Sequence, residues 1–353
     1  MTSHSTVLTD VDQDNVKKGM LALRKKEEPM KKSAMLRNLL EKGEFFALPA
    51  VGTPDQAQLA EKVGFKAVTV PGSSTSTQVL GLPDVGLMTM TELVNNVENV
   101  CNAVDIPVMV DCDTGFGSAI NVRRTVASMI RGGAAGLFIE DQVSPKRCAF
   151  VAGKEVISLE EAVGKYRAAI DIRNESDPDF IIMARTDVRT AVGGGLEEVI
   201  RRGKAYLETG ADILYVSALQ SRDEIRQVRS ALKDRLRFLS GSFLAIKPPL
   251  TQKEMQELGI CMASFNLRPP YLIALYDFLV EFNQRGFDFW NDFGKKYQNH
   301  PMGGSDIHFG TFDLSGLPEV AELEKKYIPS EKMGKYESSV GLYDPRTRGT
   351  KKI

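Results

Sequence analysis

Residues 107–117 read Pro-Val-Met-Val-Asp-Cys-Asp-Thr-Gly-Phe-Gly, a short apolar run that ends abruptly in two carboxylates and a glycine-rich turn. A run that is apolar at successive positions is typical of a strand buried on both faces, as in a parallel sheet. Comparable runs that end on small or polar residues recur at 46–51, 67–72, 136–142, 181–187, 213–218, 237–242 and 261–266. The sequence therefore predicts eight parallel strands.

The segments between these runs have helical periodicity, as in 159–173 and in 196–209, which Gly210 follows at the C-cap position. Eight strand–helix units over about 240 residues fit an α/β fold of the closed (β/α)8, or TIM, barrel type better than an open doubly wound sheet. No GxGxxG follows a strand, and the glycines at 193–195 lack the Lys-Ser/Thr of a phosphate loop. A nucleotide site is therefore not predicted.

The chain divides into a polar N-terminal tail (1–34), a barrel domain (35–300), and a C-terminal helical extension with a polar tail (301–353). Helical segments continue beyond the eighth strand at 271–282, 288–297 and 319–327. Helices added to a complete barrel often pack against a partner subunit. We therefore expect a homo-oligomer, a dimer or tetramer with swapped C-terminal helices.

Composition narrows the class of partner. Of 353 residues, 42% are hydrophobic and 26% charged, and the formal net charge of -1 lacks the basic excess of a nucleic-acid binder. The sequence contains no run of 18 apolar residues without a charge, so no membrane-spanning helix is predicted. The N-terminal segment has residues of both charges and does not resemble a targeting signal. The four cysteines are far apart, which favours reduced thiols and a cytoplasmic location.

Histidine is nearly missing from the region that carries the motifs. Its three occurrences are at positions 4, 300 and 308, so none lies between residues 5 and 299. Proton transfer there must use carboxylates, Lys, Tyr or Cys, and both a Ser-His-Asp triad and a histidine-bound zinc are disfavoured.

Three carboxylates fall at predicted strand ends: Asp111 and Asp113 at the end of the third strand, predicted at 107–113, and Glu140 at the end of the fourth. In a parallel barrel, the C-terminal strand ends meet at one mouth, where catalytic groups collect. Converging carboxylates repel each other unless a cation lies between them, and oxygen ligands favour Mg2+, with Mn2+ as an alternative. The structural alternative is helix capping by Asp113 and an ion pair for Glu140.

Arg185 lies at the end of the predicted fifth strand, opposite the predicted metal site. Its guanidinium is suited to paired hydrogen bonds with a substrate carboxylate or phosphonate. The alternative is a salt bridge inside the barrel with Glu140 or Asp187.

The loop after the fourth strand, residues 143–154, places Lys146 and Arg147 directly before Cys148. Neighbouring positive charge favours the thiolate form of a cysteine, which suits acid–base work. An isolated loop cysteine is more often incidental.

These motifs together resemble the isocitrate lyase/phosphoenolpyruvate mutase superfamily, over about residues 35–300. The resemblance rests on Leu-Gly-Leu-Pro-Asp (80–84), Val-Asp-Cys-Asp-Thr-Gly-Phe-Gly (110–117), Ile-Glu-Asp-Gln-Val (139–143), Pro-Lys-Arg-Cys (145–148) and Met-Ala-Arg-Thr-Asp (183–187). The branch most resembled contains methylisocitrate lyase, dimethylmalate lyase and carboxyphosphonoenolpyruvate mutase. Its Lys-Arg-Cys loop favours carbon–carbon lyases over phosphonate mutases.

The resemblance implies a role for each matched residue. Asp111, Asp113 and Glu140 would hold Mg2+, with Asp84 behind them, and Cys148 would protonate the enolate carbon formed when a 2-hydroxy acid is cleaved to a 2-oxo acid such as pyruvate or glyoxylate. Lys146 and Arg147 would support closure of the loop and its charge. The implied contacts to a small carboxylate substrate come from Gly72, Ser73, Asp111, Arg185, Ser217 and Ser242.

The chain departs from the family pattern around the rest of the substrate. Family lyases usually have other, mostly polar residues at the positions of Thr69, Pro71, Phe138, Ala149, Phe150, Ser217, Gly241 and Leu244. Losing such partners should penalise a second substrate carboxylate by ~2–4 kcal/mol. We therefore expect a substrate with one 2-oxo or 2-hydroxy carboxylate end and a less polar remainder.

Two further functions fit these residues. One is phosphonate mutase or oxo-acid hydrolase chemistry on the same enolate scaffold. The other is a catalytically weak relative that binds a small acid, a hypothesis motivated by the altered polar contacts.

Overall fold

The computed structural model describes residues 30–240, 246–303, 309–337 and 343–347. Eight parallel strands form one sheet in the order β6-β5-β4-β3-β2-β1-β8-β7. The strands are β1 (Phe46–Ala50), β2 (Val68–Val70), β3 (Val108–Asp111), β4 (Gly136–Glu140), β5 (Ile181–Thr186), β6 (Ile213–Val216), β7 (Phe238–Ser240) and β8 (Met262–Asn266). A parallel bridge between Leu214 and Leu236 joins the two ends of this sheet, so the sheet forms a barrel.

All eight predicted strands are confirmed, each within its predicted bounds. The helices around them are α1 (Lys32–Lys42), α2 (Pro54–Lys62), α3 (Met90–Ala103), α4 (Ala119–Arg131), α5 (Leu159–Ser176), α6 (Leu196–Glu208), α7 (Arg222–Ala231), α8 (Gln252–Glu257), α9 (Arg268–Arg285), α10 (Phe287–Tyr297), α11 (Phe309–Leu314) and α12 (Leu317–Tyr327). The (β/α)8 prediction is therefore confirmed. One detail differs: the C-cap of α6 is Thr209, and Gly210 is the next residue, with a φ of 100° that favours glycine.

The alternation of side chains along each strand decides what faces the barrel mouth. On β3, Val108 and Val110 belong to the core between sheet and helices, whereas Met109 belongs to the core inside the barrel. Because side chains two residues apart share a face, Asp111 follows Met109 to the inside. By the same rule, Glu140 and Arg185 face the inside of the barrel, because each lies two residues beyond a side chain of the inner core, Phe138 on β4 and Met183 on β5.

The N-terminal helix α1 contributes to the inner core. Leu36 and Leu40 on α1 pack in the same buried cluster as Phe46 and Met262, which begin β1 and β8. The helix therefore covers the end of the barrel opposite to the predicted site. Among the described residues, no helix is both long and apolar enough to cross a membrane.

Candidate active site

Asp113 is fixed in the turn after β3 by bonds to both neighbouring strand ends. Its backbone N–H donates to Asp111 Oδ1 at 3.1 Å, and its carbonyl accepts from the N–H of Glu140 at 2.8 Å. The turn gives Asp113 a φ of 47°, in the left-handed region. A Cβ at Gly72 would overlap Asp113 Oδ1, so the segment after β2 needs glycine to approach this carboxylate.

Arg185 lies among three carboxylates. Its Nε donates to Asp187 Oδ2 at 2.9 Å, its Nη2 lies 2.7 Å from Glu140 Oε2, and its Nη1 lies 3.4 Å from Asp111 Oδ2. The structural alternative, a salt bridge inside the barrel, thus describes Arg185 in this structure. Its predicted contact with a substrate carboxylate stays a prediction.

Lys146 brings the loop after β4 onto the same carboxylates. Its ammonium group pairs with Asp84 and lies 3.0 Å from Asp113 Oδ1, and the residue is only 4% exposed. Burial lowers the pKa of Lys146, but the surrounding carboxylates, of which Asp113 has the largest effect, hold this pKa above its ordinary value. The lysine is therefore a cation fixed at the barrel mouth.

The carboxyl groups themselves are strongly perturbed. Burial raises the pKa of Asp113 to about 6, against the opposing charge of Lys146. Burial also raises the pKa of Glu140 well above its ordinary range, and Arg185 opposes this shift. Because burial penalises the charged form of these carboxyl groups, a binding partner that carries positive charge would stabilise their anionic form.

In the described part of the chain, no three His, Cys, Asp or Glu side chains surround a position for a metal ion. The reason is that Arg185 and Lys146 lie among the three carboxylates predicted as ligands. Both carboxylate oxygens of Glu140 are nevertheless buried and accept no hydrogen bond from any described residue. Within that part of the chain, their one charged contact is the ion pair of Oε2 with Arg185. This set of oxygen donors suits a hard dication that shares the carboxylates with these two cations.

The loop that carries Cys148 is held at its base and at its middle. At the base, the N–H of Val143 donates to the carbonyl of Glu155 at 2.9 Å. The side-chain amide of Gln142 makes two hydrogen bonds with the backbone of Arg147, both 2.9 Å long. At the middle, buried Lys154 donates to the carbonyl of Ala149 and lies 3.7 Å from Asp187.

A cavity of 520 Å³ lies between this loop and the strand ends. Ser73, Asp84, Asp111, Lys146, Cys148 and Arg185, all predicted from the sequence, line it. Gly72, Asp113 and Glu140 lie behind that wall, and Asp113 borders a second opening of 490 Å³ that Lys146 shares.

Three other predicted residues are placed differently. Arg147 is exposed and is not on the cavity wall. Ser217 is fully buried, its hydroxyl has no partner, and it also does not line the cavity. Ser242, with Gly241 and Leu244, lies outside the described residues.

Sequence reasoning missed the support behind Arg185. Asp141 faces away from the barrel interior, where it accepts from Tyr206 at 2.8 Å, Arg202 at 3.2 Å and the N–H of Asp187 at 3.0 Å. The one available signal was that Arg202 and Tyr206 are four residues apart, on one face of α6. Nothing in the sequence pairs that face with Asp141.

These features define a barrel enzyme with a buried acidic site at the strand ends and a cysteine loop over its mouth. A phosphoenolpyruvate phosphomutase family model matches residues 36–271. The chain belongs to the phosphoenolpyruvate mutase/isocitrate lyase superfamily, as the sequence motifs predict. It is an enzyme of the lyase and mutase type, and its substrates are carboxylic acids.

Three relatives illustrate the likeness. The 2,3-dimethylmalate lyase of Eubacterium barkeri is 34% identical over 84% of this chain and 99% of the relative. The 2-methylisocitrate lyase of Aeropyrum pernix is 40% identical over 67% of this chain and 75% of the relative. Among solved structures, a phosphonopyruvate hydrolase complex with oxalate and Mg2+ is 26% identical with a TM-score of 0.71, over 85% of this chain and 100% of that one.

Proposed function

We propose that this chain is a Mg2+-dependent carbon–carbon lyase that cleaves a substituted 2-hydroxy carboxylic acid to a 2-oxo acid such as pyruvate or glyoxylate. The observation that carries the proposal is that Cys148 faces the same cavity as Asp111 and Arg185. A proton donor thus lies across a small space from a site built for a cation and an anionic substrate.

Asp111, Asp113 and Glu140 would hold the ion, with Asp84 behind them, and Mn2+ could replace Mg2+. The buried Glu140 oxygens and the oxygen-only donor set support this assignment. When bound, the ion would supply positive charge that stabilises the oxyanion of the reacting acid. Arg185 and Lys146 would leave the carboxylates only partly neutralised without it.

The chain's own residues would position the substrate and move the proton. Gly72 and Ser73 begin the helical turn Gly72–Ser74 after β2, and the first N–H groups of a helix have no acceptor within it. They would donate to the substrate carboxylate. As the carbon–carbon bond breaks, its electron pair would remain on the departing carbon, which takes the thiol proton of Cys148. Gln142 and Lys154 would hold the loop closed, which excludes water from this step.

We also propose a homo-oligomer, either a dimer or a tetramer with swapped C-terminal helices. Neither α9 nor α10 buries a residue in the described chain, and Tyr271, Ile273, Tyr276 and Phe287 are half exposed or more. Exposed apolar residues clustered on two consecutive helices are typical of subunit interfaces. We further propose that the protein is cytoplasmic and that its domains span residues 1–34, 35–300 and 301–353. Mass photometry showing only single chains would contradict the oligomer.

The lyase proposal is tested by release of pyruvate or glyoxylate from a panel of substituted malates. We expect turnover in Mg2+, none after EDTA treatment, and a loss of about a hundredfold in Cys148→Ser. Cys261→Ser is the matched control, since that thiol is buried, lies off the cavity wall and has Arg237 O as an acceptor. Turnover that survives both EDTA and Cys148→Ser would rule the mechanism out.

Phosphonate mutase or oxo-acid hydrolase chemistry is the second candidate, supported by the likeness to phosphonopyruvate hydrolase. Phosphorus NMR of phosphonopyruvate incubated with the protein separates the two: a rearranged or released phosphorus signal, with no turnover of any malate, favours this candidate. Mg2+ titration identifies the third candidate, a catalytically weak binder of a small acid. Such a protein does not need carboxylates that bind Mg2+, so the titration would show no binding of the ion.

A further inference from the structure

The cavity has two chemically different ends. We call Asp111 and Arg185 on the cavity wall, with Asp113, Glu140 and Asp187 behind them, the acidic end. We call Thr69, Phe150, Ser264, Phe265 and Asn266, which all line the cavity, the neutral end. The neutral end lines the same cavity as Asp111 and Cys148, together with the apolar Ala50, Pro71, Ala149 and Pro269. Apart from the paired Lys146 and Asp84, the rest of the lining therefore offers an uncharged surface to a substrate held at the acidic end.

Both cations that line the cavity within the described residues are already paired. Lys146 contacts Asp84 and Asp113, and Arg185 contacts Asp111, Glu140 and Asp187. A second carboxylate on the substrate would thus be desolvated without a positive partner, which is strongly unfavourable.

The polar groups of the neutral end are hydroxyls and an amide, which suit a neutral oxygen. Thr69 is only 3% exposed, and its hydroxyl has no hydrogen-bond partner although it lines the cavity. A buried hydroxyl without a partner costs free energy, so a ligand acceptor is expected opposite it. Tyr215, on the cavity floor with Phe138 and Phe238, already hydrogen-bonds Ser240.

The apolar surface lies at the entrance. Phe150 is 52% exposed yet lines the cavity, so its ring stands at the mouth and reaches solvent on one side. Phe265 lines the cavity too, and its ring centroid lies 5.7 Å from that of Phe65. Phe150, Phe265 and Pro269 all line the cavity, and an apolar group packed on these side chains would be removed from water, which stabilises the complex.

From these observations we infer that the substrate is a 2-hydroxy-4-oxo monocarboxylic acid whose 4-oxo group bears an apolar substituent. The inference rests on the proposed lyase function and specifies the half of the substrate that function leaves open. The carboxylate and hydroxyl bind at the acidic end, the ketone oxygen accepts from Thr69, and the apolar substituent packs on Phe150 and Phe265. The ketone takes the place of the second carboxylate as the group that accepts electrons.

The reaction balances without another reactant. The bond between C2 and C3 breaks, C2 and its hydroxyl oxygen become the carbonyl of a 2-oxo acid, and the electron pair passes to C3 and the ketone as an enolate. Cys148 gives its thiol proton to C3, and the proton released by the hydroxyl restores the thiol. The products are a 2-oxo acid and a methyl or methylene ketone.

The test uses the full chain with Mg2+ and three probes in calorimetric titrations: oxalate, malate and 2-hydroxy-4-oxo-4-phenylbutanoate. Oxalate reports the acidic end alone. The two hydroxy acids differ only in the substituent on the C4 carbonyl carbon, which is the second carboxylate oxygen in malate and a phenyl group in the benzoyl acid. We expect oxalate to bind, the benzoyl acid to bind at least about tenfold more tightly than malate, and acetophenone and glyoxylate to form in equal amounts.

A pair of variants locates the preference. Phe150→His should lower the preference for the benzoyl acid by about fivefold, because it replaces an apolar wall by a polar one. Ile120→His, the same kind of change at a residue 76% exposed and off the cavity wall, should leave the preference unchanged.

Each other outcome overturns a defined part. If oxalate binds but malate binds as tightly as the benzoyl acid, or neither hydroxy acid binds, the substrate class is wrong and the lyase proposal survives. If oxalate does not bind in Mg2+, both proposals fall.

Discussion

The acidic and neutral ends of the cavity are built in opposite ways. The acidic end consists of buried charged groups at and just after strand ends that pair with one another, as with the four hydrogen bonds and ion pairs of Arg185 to Asp111, Glu140 and Asp187. The neutral end uses Phe150 on a loop and Phe265 near the end of β8, and both are at least partly exposed. The groups proposed for the chemistry are therefore held by charge pairing inside the barrel. Phe150 and Phe265, proposed to select the substrate, can vary with little effect on the fold.

The largest expected effect is at the acidic end. Glu140→Gln keeps the shape of the side chain but removes a charge that the proposed Mg2+ site needs. We expect turnover to fall about a thousandfold, equivalent to about 4 kcal/mol, with a parallel loss of Mg2+ affinity in titration calorimetry. Glu155→Gln, an exposed residue at the base of the cysteine loop, is the control. Unchanged Mg2+ affinity in Glu140→Gln would remove this residue from the metal site.

Arg185→Lys sharpens the comparison through stability. A lysine cannot reach Asp187, Glu140 and Asp111 at once, so buried carboxylates lose their partner, at about 3–5 kcal/mol in the free energy of unfolding. Urea unfolding should show this loss, and the loss should shrink in Mg2+ because a bound dication compensates the same charges.

Arg201→Lys provides the matched control for that measurement. Arg201 pairs with Glu198 at 2.7 Å on the surface of α6, and its side chain is 57% exposed. We expect little change in stability there. Equal losses in the free energy of unfolding in Arg185→Lys and Arg201→Lys would mean that the buried ion pairs of Arg185 stabilise the fold no more than an exposed pair does.

The smallest expected effect is at the loop. Gln142→Ala removes both hydrogen bonds to the backbone of Arg147, so the loop should open more often and Cys148 should react with a thiol reagent about fivefold faster, on the scale of 1 kcal/mol. The signal belongs to Cys148, because the other three cysteines are buried and burial raises the pKa of Cys101 to about 12. Gln227→Ala, exposed on α7, should leave the labelling rate unchanged. If Cys148 reacts in Gln142→Ala at the same rate as in the unsubstituted protein, the side-chain amide of Gln142 does not hold the loop closed.

How far the sequence predicts the site can be judged from Asp111 and Asp141. Asp111 was accessible to sequence reasoning, because the apolar run before it and the period-two alternation fix both its depth and its direction. Asp141 was not, because its partners Arg202 and Tyr206 lie on a helix some sixty residues away, and no local pattern joins distant segments.

The eight strands, the superfamily, and the carboxylates and the cysteine that lie at one barrel mouth could all be predicted from the sequence alone. These follow from local apolar patterns and from the rule that parallel strand ends meet at one edge. Only the tertiary structure decided that Arg185 and Lys146 lie among the carboxylates, that Arg147 points outward, and that Phe150 borders the cavity. Those placements depend on which charges compensate each other across the barrel, and that balance is set by distance in space rather than by position along the chain.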